Sequence, residues 1–174
     1  MTGPQPAHRT WPTTAACAVL ALAADQASKA AALVLLVDPI PVLPTFALRL
    51  SFNTGAAFSM GTGLTPVLTL IAAAVVGYLV LRAPRIATRA WAVAAGLVGG
   101  GAAGNLADRL TRPPGFARGA VVDFLEVSWF ASFNIADVAI TCGAVVAAVL
   151  SLRGTPLWRP LAGDAVGAPP VDQQ

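Results

Sequence analysis

Two aspartates carry the chemistry that this sequence could perform. Asp123 and Asp137 bracket the stretch VVDFLEVSWFASFNIAD, residues 121–137. Val121, Val122, Phe124 and Leu125 surround the first; Phe133, Ile135 and Val138 surround the second. A carboxylate among apolar neighbours is costly to ionise, because leaving water disfavours the charged form. Two of them brought together can share one proton. One then serves as general base for water while its protonated partner donates to a carbonyl under attack. The plainer reading is that Asp137 caps a helix and Asp123 ends a strand. Caps are a common use of aspartate, and the local sequence leaves both readings open.

Other chemistries find little support. The single histidine, His8, lies in the N-terminal stretch, far in sequence from the other polar groups, which argues against a histidine triad or zinc site. Cys17 and Cys142 fall in different apolar runs at different depths, so neither a ligand cluster nor a disulfide is expected. Lys29 is the only lysine, and Ser28 precedes it. Adjacent helix residues point in different directions, so Ser28 is a poor partner for it.

The elements that must position the aspartates are membrane spans. Hydrophobic residues make up 56% of the 174 and charged residues 11%, and the mean hydropathy is +0.72. A soluble domain carries about 25% charged residues. The apolar surface is therefore expected to face lipid as well as a core. The net charge of +3 comes without a basic run interleaved with aromatics, so nucleic acid is not a natural partner.

Four apolar runs are long enough to cross a bilayer: residues 13–37, 64–81, 90–106 and 135–152. The start of the first resembles a secretory signal, but the apolar pattern resumes after Lys29, so one uncleaved span is expected. Residues 1–12 and 161–174 read as disordered tails of a single membrane-embedded domain, 1–174. Between the first two runs, Pro39, Pro41 and Pro44 exclude a helix. Residues 46–53 then alternate, with Phe46, Leu48, Leu50 and Phe52 on one side. Period two predicts a strand with one apolar face.

Polar residues interrupt the runs at few places. Asp25 and Lys29, four apart, share a helix face and can pair. Such a pair either serves a site or only fixes helix packing. Gly96, Gly100, Gly104 and Asp108 recur every four residues, a small-residue stripe that permits close helix packing. Arginines follow the positive-inside rule: Arg9, the loop with Arg82, Arg85 and Arg89, and the exit with Arg153 and Arg159 lie on one side of a four-span protein. That side is expected to be cytoplasmic. Asn53, Asn105, Asp108, Arg109, Asp123, Asn134 and Asp137 then converge at the outer ends of the spans. A small transporter or channel is the alternative, but its polar residues should run through the depth of several spans. A non-catalytic assembly factor would need the packing motifs and not two isolated acids.

Five motifs in order across the four runs carry a family resemblance: DQASK (25–29), NTGAAF (53–58), GNLADR (104–109), VVDF (121–124) and FNIAD (133–137). With them the chain resembles the lipoprotein signal peptidases, or signal peptidase II. The resemblance implies a bacterial aspartic endopeptidase of the inner (plasma) membrane. Its fold would be an all-α integral membrane protein of four transmembrane helices with a small extracytoplasmic β-sheet. Its substrate would be a diacylglyceryl-modified prolipoprotein, cut just before the lipidated cysteine. By motif, Asp123 and Asp137 are the catalytic pair. Asp25, Lys29, Asn53, Gly55, Gly104, Asn105, Asp108, Arg109, Asn134 and Ala136 match the family's substrate-binding or supporting positions. The resemblance implies no metal or organic cofactor, membrane lipids as partners, and a monomer.

Overall fold

The computed structural model describes residues 9–55 and 64–159. His8, residues 56–58 of the NTGAAF motif, the N-terminal tail up to residue 8 and the C-terminal tail from residue 160 lie outside the described residues. Four helices are long and apolar enough to span a membrane. They are α1 (Trp11–Leu35), α2 (Thr65–Arg82), α3 (Arg89–Thr111) and α4 (Ile135–Leu152). At about 1.5 Å per residue the two shortest, α2 and α4, are each about 27 Å long, close to a hydrocarbon core of about 30 Å. The shell is lipid-facing: Val19, Leu20, Leu70, Leu81 and Leu152 are all exposed.

The core is α3, which packs against the other three helices. Its glycines set the distances. A Cβ on Gly96 or Gly100 would run into α1 at Cys17 and Ala18, and one on Gly101 would run into α4 at Ala136 and Ile140. Gly143 of α4 gives the reciprocal room to Ala94 and Val98. Between helices in lipid there is little hydrophobic drive, so close van der Waals approach is what such residues supply.

Two helix boundaries differ from expectation. α1 begins at Trp11, inside the stretch read as a tail, with Pro12 in its first turn. Proline suits that turn because its missing N–H would have no partner there. Thr10 is buried and donates from Oγ1 to the Ile86 carbonyl at 2.7 Å. α3 runs on to Thr111, so Asp108 and Arg109 belong to its final turns and not to a loop beyond it.

A three-stranded antiparallel sheet, in the order β1-β2-β3, covers one end of the bundle. Its strands are β1 (Ile40–Leu43), β2 (Phe46–Asn53) and β3 (Val121–Val127). β1 was not foreseen; with Pro41 in it, it can only be an edge strand. The alternation of β2 holds in its first half, where Leu48 and Leu50 pack with Ala32, Leu36 and Phe124. A bulge between Leu48 and Ser51 then shifts the register, and Phe52 is turned out, 56% exposed. An extra residue in one strand re-aims the side chains beyond it. Here it sets Ser51 opposite Asp123 and leaves Asn53 two residues along on the same side.

The other end is laced by the chain start, the α2–α3 turn and the segment after α4. Ala87 N–H donates to the Leu157 carbonyl at 2.8 Å, and Arg159 N–H to the Arg85 carbonyl at 2.9 Å. Trp91 Nε1 reaches the Thr155 carbonyl at 3.0 Å. Arg82 lies over the rings of Tyr78 and Trp158.

Gly104 tests the packing account. A Cβ there would collide with the Asp25 carboxylate, whereas one on Gly77 of α2 meets nothing. Gly104→Ala should lower stability by about 1–3 kcal/mol through overpacking. Gly77→Ala should be neutral or stabilise by up to about 1 kcal/mol through helix propensity. Thermal unfolding in detergent checks both, and equal Tm values for the two variants would contradict the account.

Candidate active site

The polar cluster is built outward from Lys29. The side chains of Lys29 and Asp25 are both fully buried. An ammonium has three N–H donors, and all three are used. Nζ lies 2.8 Å from Asp25 Oδ2, 2.8 Å from Asp108 Oδ2 and 2.9 Å from Asn105 Oδ1. The expected Asp25–Lys29 pair is thus one edge of a knot joining α1 to α3. Breaking a buried pair by removing one partner costs about 3–5 kcal/mol, because the other charge is left uncompensated. The partners are themselves held. Asp25 Oδ1 accepts from Ala136 N–H at 3.0 Å, which brings in the start of α4. Asp108 Oδ2 accepts from Val122 N–H at 3.2 Å, which brings in β3.

Both aspartates hang from this knot. Asn105 Nδ2 donates to Asp137 Oδ1 at 2.9 Å. Asn134 is the N-cap of α4 and forms a capping box with Asp137: each side chain accepts from the other's backbone N–H at 3.1 Å. The cap reading of Asp137 therefore holds, and its carboxylate faces the cluster as well. Asp123 does not end a strand; it is the third residue of β3 and is buried. Asn134 Nδ2 donates to Asp123 Oδ1 at 2.7 Å, and Asn53 Nδ2 to Oδ2 at 3.2 Å. The fold-back that joins the two acids is a bridge of Phe133 to Leu125, with N–H to carbonyl bonds at 2.9 and 3.0 Å.

A cavity of about 260 Å³ opens at this end, lined by both aspartates together with Asn53, Gly55, Asn105, Arg109, Phe130 and Phe133. Arg109 donates from Nη2 to the Gly55 carbonyl at 3.3 Å. Its Nη1 is buried with no hydrogen-bond partner among the described residues. A larger apolar cavity between α1, α2 and α3, about 330 Å³, contains no ionisable side chain and lies toward the opposite end. Of these two cavities, only the smaller has carboxylates in its lining.

Every site residue named from the sequence motifs lies at this one end. Asp123 and Asp137 line the cavity, while Asp25, Lys29 and Asp108 sit behind it and Gly104 makes room for Asp25. Gln26 and Arg112 were missed. Gln26 Nε2 bridges Asp25 Oδ2 and the Gly104 carbonyl at 3.0 and 3.1 Å. Arg112 Nε lies 2.6 Å from Asp108 Oδ1. Its spacing of four from Asp108 is the same signal that found the Asp25–Lys29 pair. Among the described residues there is no group of three His, Cys, Asp or Glu side chains placed to hold a metal.

Burial, and next the charge of Asp137, push the Asp123 carboxyl up from 3.8 to about 6; the Asn134 and Asn53 amides and Lys29 oppose the shift. A carboxyl whose pKa rises on folding contributes stability that is fully present below its unfolded value. That contribution is lost as pH rises through the folded value. The protein should therefore lose of order 2–3 kcal/mol between about pH 4 and pH 6 on this account. Asp123→Asn should flatten that part of the stability profile. Tm measured against pH checks it; an unchanged slope in Asp123→Asn would assign the titration to another group.

The family described as signal peptidase (SPase) II matches residues 17–153. A lipoprotein signal peptidase of Mycobacterium avium (strain 104) is 46% identical over 140 residues, covering 79% of this chain and 77% of that protein. One of Rhodococcus jostii (strain RHA1) is 51% identical over 107 residues, covering 62% and 54%. A bacterial membrane enzyme structure obtained by the in meso method at 2.3 Å superposes with a TM-score of 0.73 at 27% identity, covering 85% of this chain and 93% of that one. Residue order, fold and cavity meet in one conclusion: the chain belongs to the signal peptidase II family.

Proposed function

We propose that this protein removes signal peptides from prolipoproteins, with Asp123 and Asp137 as an aspartic dyad that cleaves just before a diacylglyceryl-modified cysteine. The observation that carries the reading is two carboxylates, Asp123 buried and Asp137 half-buried, lining one cavity, each fixed by amide N–H donors. One carboxylate takes a proton from water as the water attacks the scissile carbonyl. The other donates its proton to the carbonyl oxygen. Arg109 Nη1, buried and without a hydrogen-bond partner among the described residues, is a donor for a backbone carbonyl of the substrate.

The substrate's lipid fits the depth of the cavity. Each buried methylene holds an acyl chain in the membrane by about 0.8 kcal/mol, so the lipidated cysteine keeps its peptide bond at the bilayer surface. Acids at the ends of spans meet the bond there. Exposed Phe116, Trp129 and Phe130 at the same end suit the interfacial layer. Transport is the weaker reading: the α1–α3 contact on the far side of Asp25 is made at Gly96, Gly100, Cys17 and Ala18, without an ionisable group.

Orientation follows from charge. Arg9, Arg82, Arg85, Arg89, Arg153 and Arg159 gather at the end away from the site, and every carboxylate among the described residues is in the other half. Both termini are then cytoplasmic and the cavity is extracytoplasmic. In a cysteine-free background, Arg118→Cys should react with an impermeant thiol reagent added outside and Arg85→Cys should not. The reverse labelling would invert the orientation.

Asp123→Asn and Asp137→Asn should each lower single-turnover cleavage of a lipidated prolipoprotein by about 10⁴-fold, with binding largely kept. The double variant should be little worse, since residues that act as one unit are strongly non-additive. Asp108→Asn, behind the cavity, should be milder. Substantial cleavage by either folded single variant would exclude the dyad.

A further inference from the structure

Lys29 can only donate, and that fixes the direction of bonds well beyond its own. Because an ammonium cannot accept, Asn105 must turn Oδ1 toward it, at 2.9 Å. The Asn105 amide nitrogen is then forced toward Asp137 Oδ1, at 2.9 Å. Asp137 Oδ2 faces the backbone N–H of Asn134 at 3.1 Å, a donor that cannot turn round. The Asp137 N–H in turn claims Asn134 Oδ1 at 3.1 Å. Asn134 Nδ2 must therefore point at Asn105 Oδ1 and at Asp123 Oδ1, at 3.2 and 2.7 Å. Three of the four carboxyl oxygens are thus committed as acceptors of donors that have no alternative direction.

The fourth, Asp123 Oδ2, is different. Its donor is Asn53 Nδ2 at 3.2 Å, and among the described residues the orientation of Asn53 rests on one bond from Gly55 N–H at 2.9 Å. Turning Asn53 round gives up that one half-buried bond. Turning Asn105 round would set an amide N–H against the ammonium of Lys29.

We infer that Lys29 and Asn105 are positioning residues that place the proton of the pair on Asp123 Oδ2, toward Asn53, and leave Asp137 to take the proton from water. The inference rests on the dyad reading above. Helix polarity works the same way. Asp137 is at the third position of α4, where the positive end of the helix favours a carboxylate, and Asp123 is in a strand without such an end. The raised pKa of Asp123 agrees. The other charges facing the pair are Lys29 and Asp25 from α1 and Asp108 and Arg109 from α3. Lys29 ties up both Asp25 and Asp108, and Arg109 lines the cavity beside both members of the pair.

The proton cycle closes. Water adds its oxygen to the carbonyl carbon, Asp137 takes a water proton, and Asp123 gives its proton to the carbonyl oxygen. Asp137 then protonates the leaving nitrogen as the C–N bond breaks, and the second hydroxyl of the intermediate returns a proton to Asp123. Acid, amine and the starting pair result.

Infrared difference spectroscopy of the purified full chain, without substrate and below the pH of the Asp123 transition, reads the position of the proton. The wild type should show a protonated-carboxyl C=O stretch that Asp123→Asn removes and Asp137→Asn keeps. Asn53→Ala should shift that band, since the one partner of Oδ2 among the described residues is lost. Asn105→Leu should split it, as the proton becomes free to occupy either acid. Thermal unfolding confirms that each variant is folded. A band kept by Asp123→Asn, or lost in Asp137→Asn, overturns the assignment. An unsplit, unshifted band in folded Asn105→Leu removes Lys29 and Asn105 from it. These outcomes leave the dyad standing, because the dyad is decided by turnover and this test reads the resting enzyme.

Discussion

The constraint on which the rest of the structure depends is the buried ammonium of Lys29. A charge taken fully out of water is tolerated only when its hydrogen bonds are met. Meeting three donors required three acceptors from two helices: Asp25 on α1, and Asn105 and Asp108 on α3. Those acceptors in turn draw in the start of α4 through Ala136 and the sheet through Val122. Four elements are thereby fixed around one atom that does not line the cavity. The two aspartates of the cavity sit one bond further out, on side chains that the knot holds but does not neutralise.

The helix-packing pattern and this cluster are one pattern. Gly96 and Gly100 bring α3 against α1 where lipid-depth packing needs no polarity. Gly104, next along the stripe, gives the space to the Asp25 carboxylate instead of to backbone, and Asp108, next again, meets Lys29. A stripe that began as close packing ends as an ion-pair network, with the same spacing of four throughout. On the neighbouring face Gly101 admits the start of α4, which sets Asp137 within reach of Asn105.

How far this was legible in the sequence differs by element. The four spans, the Asp25–Lys29 pair and the glycine stripe are local or periodic, and period-based reading finds them. The convergence at one end also followed, because alternating spans place every second loop together. What escaped depends on tertiary geometry. The bulge in β2 leaves no mark in the alternation of Phe46 to Phe52, yet it decides that Phe52 faces out and that Asn53 reaches Asp123. β1 is short and contains a proline, so only its pairing to β2 reveals it. The end of α3 was set too early because Asn105, Asp108 and Arg109 look like a polar exit. All three instead lie in the last helical turns, with Asp108 and Arg109 buried and Asn105 half-buried. The three-way role of Lys29 needed two helices in register, which no single window of sequence contains.

The cap reading of Asp137 and the proposed catalytic one are compatible. A carboxylate proposed to act as a base must be held in one rotamer and kept acceptor-only on defined atoms. The capping box does both with bonds that the helix would form in any case. Asp123 has no such support from its strand. It is held by two amides from other elements, and burial pushes its pKa up. The asymmetry of a pair of identical residues therefore arises from where each sits in the backbone. A helix start supplies fixed N–H donors and the positive end of a dipole, and a strand supplies neither. Placing one acid on each kind of element is enough to make two aspartates unequal before any substrate arrives.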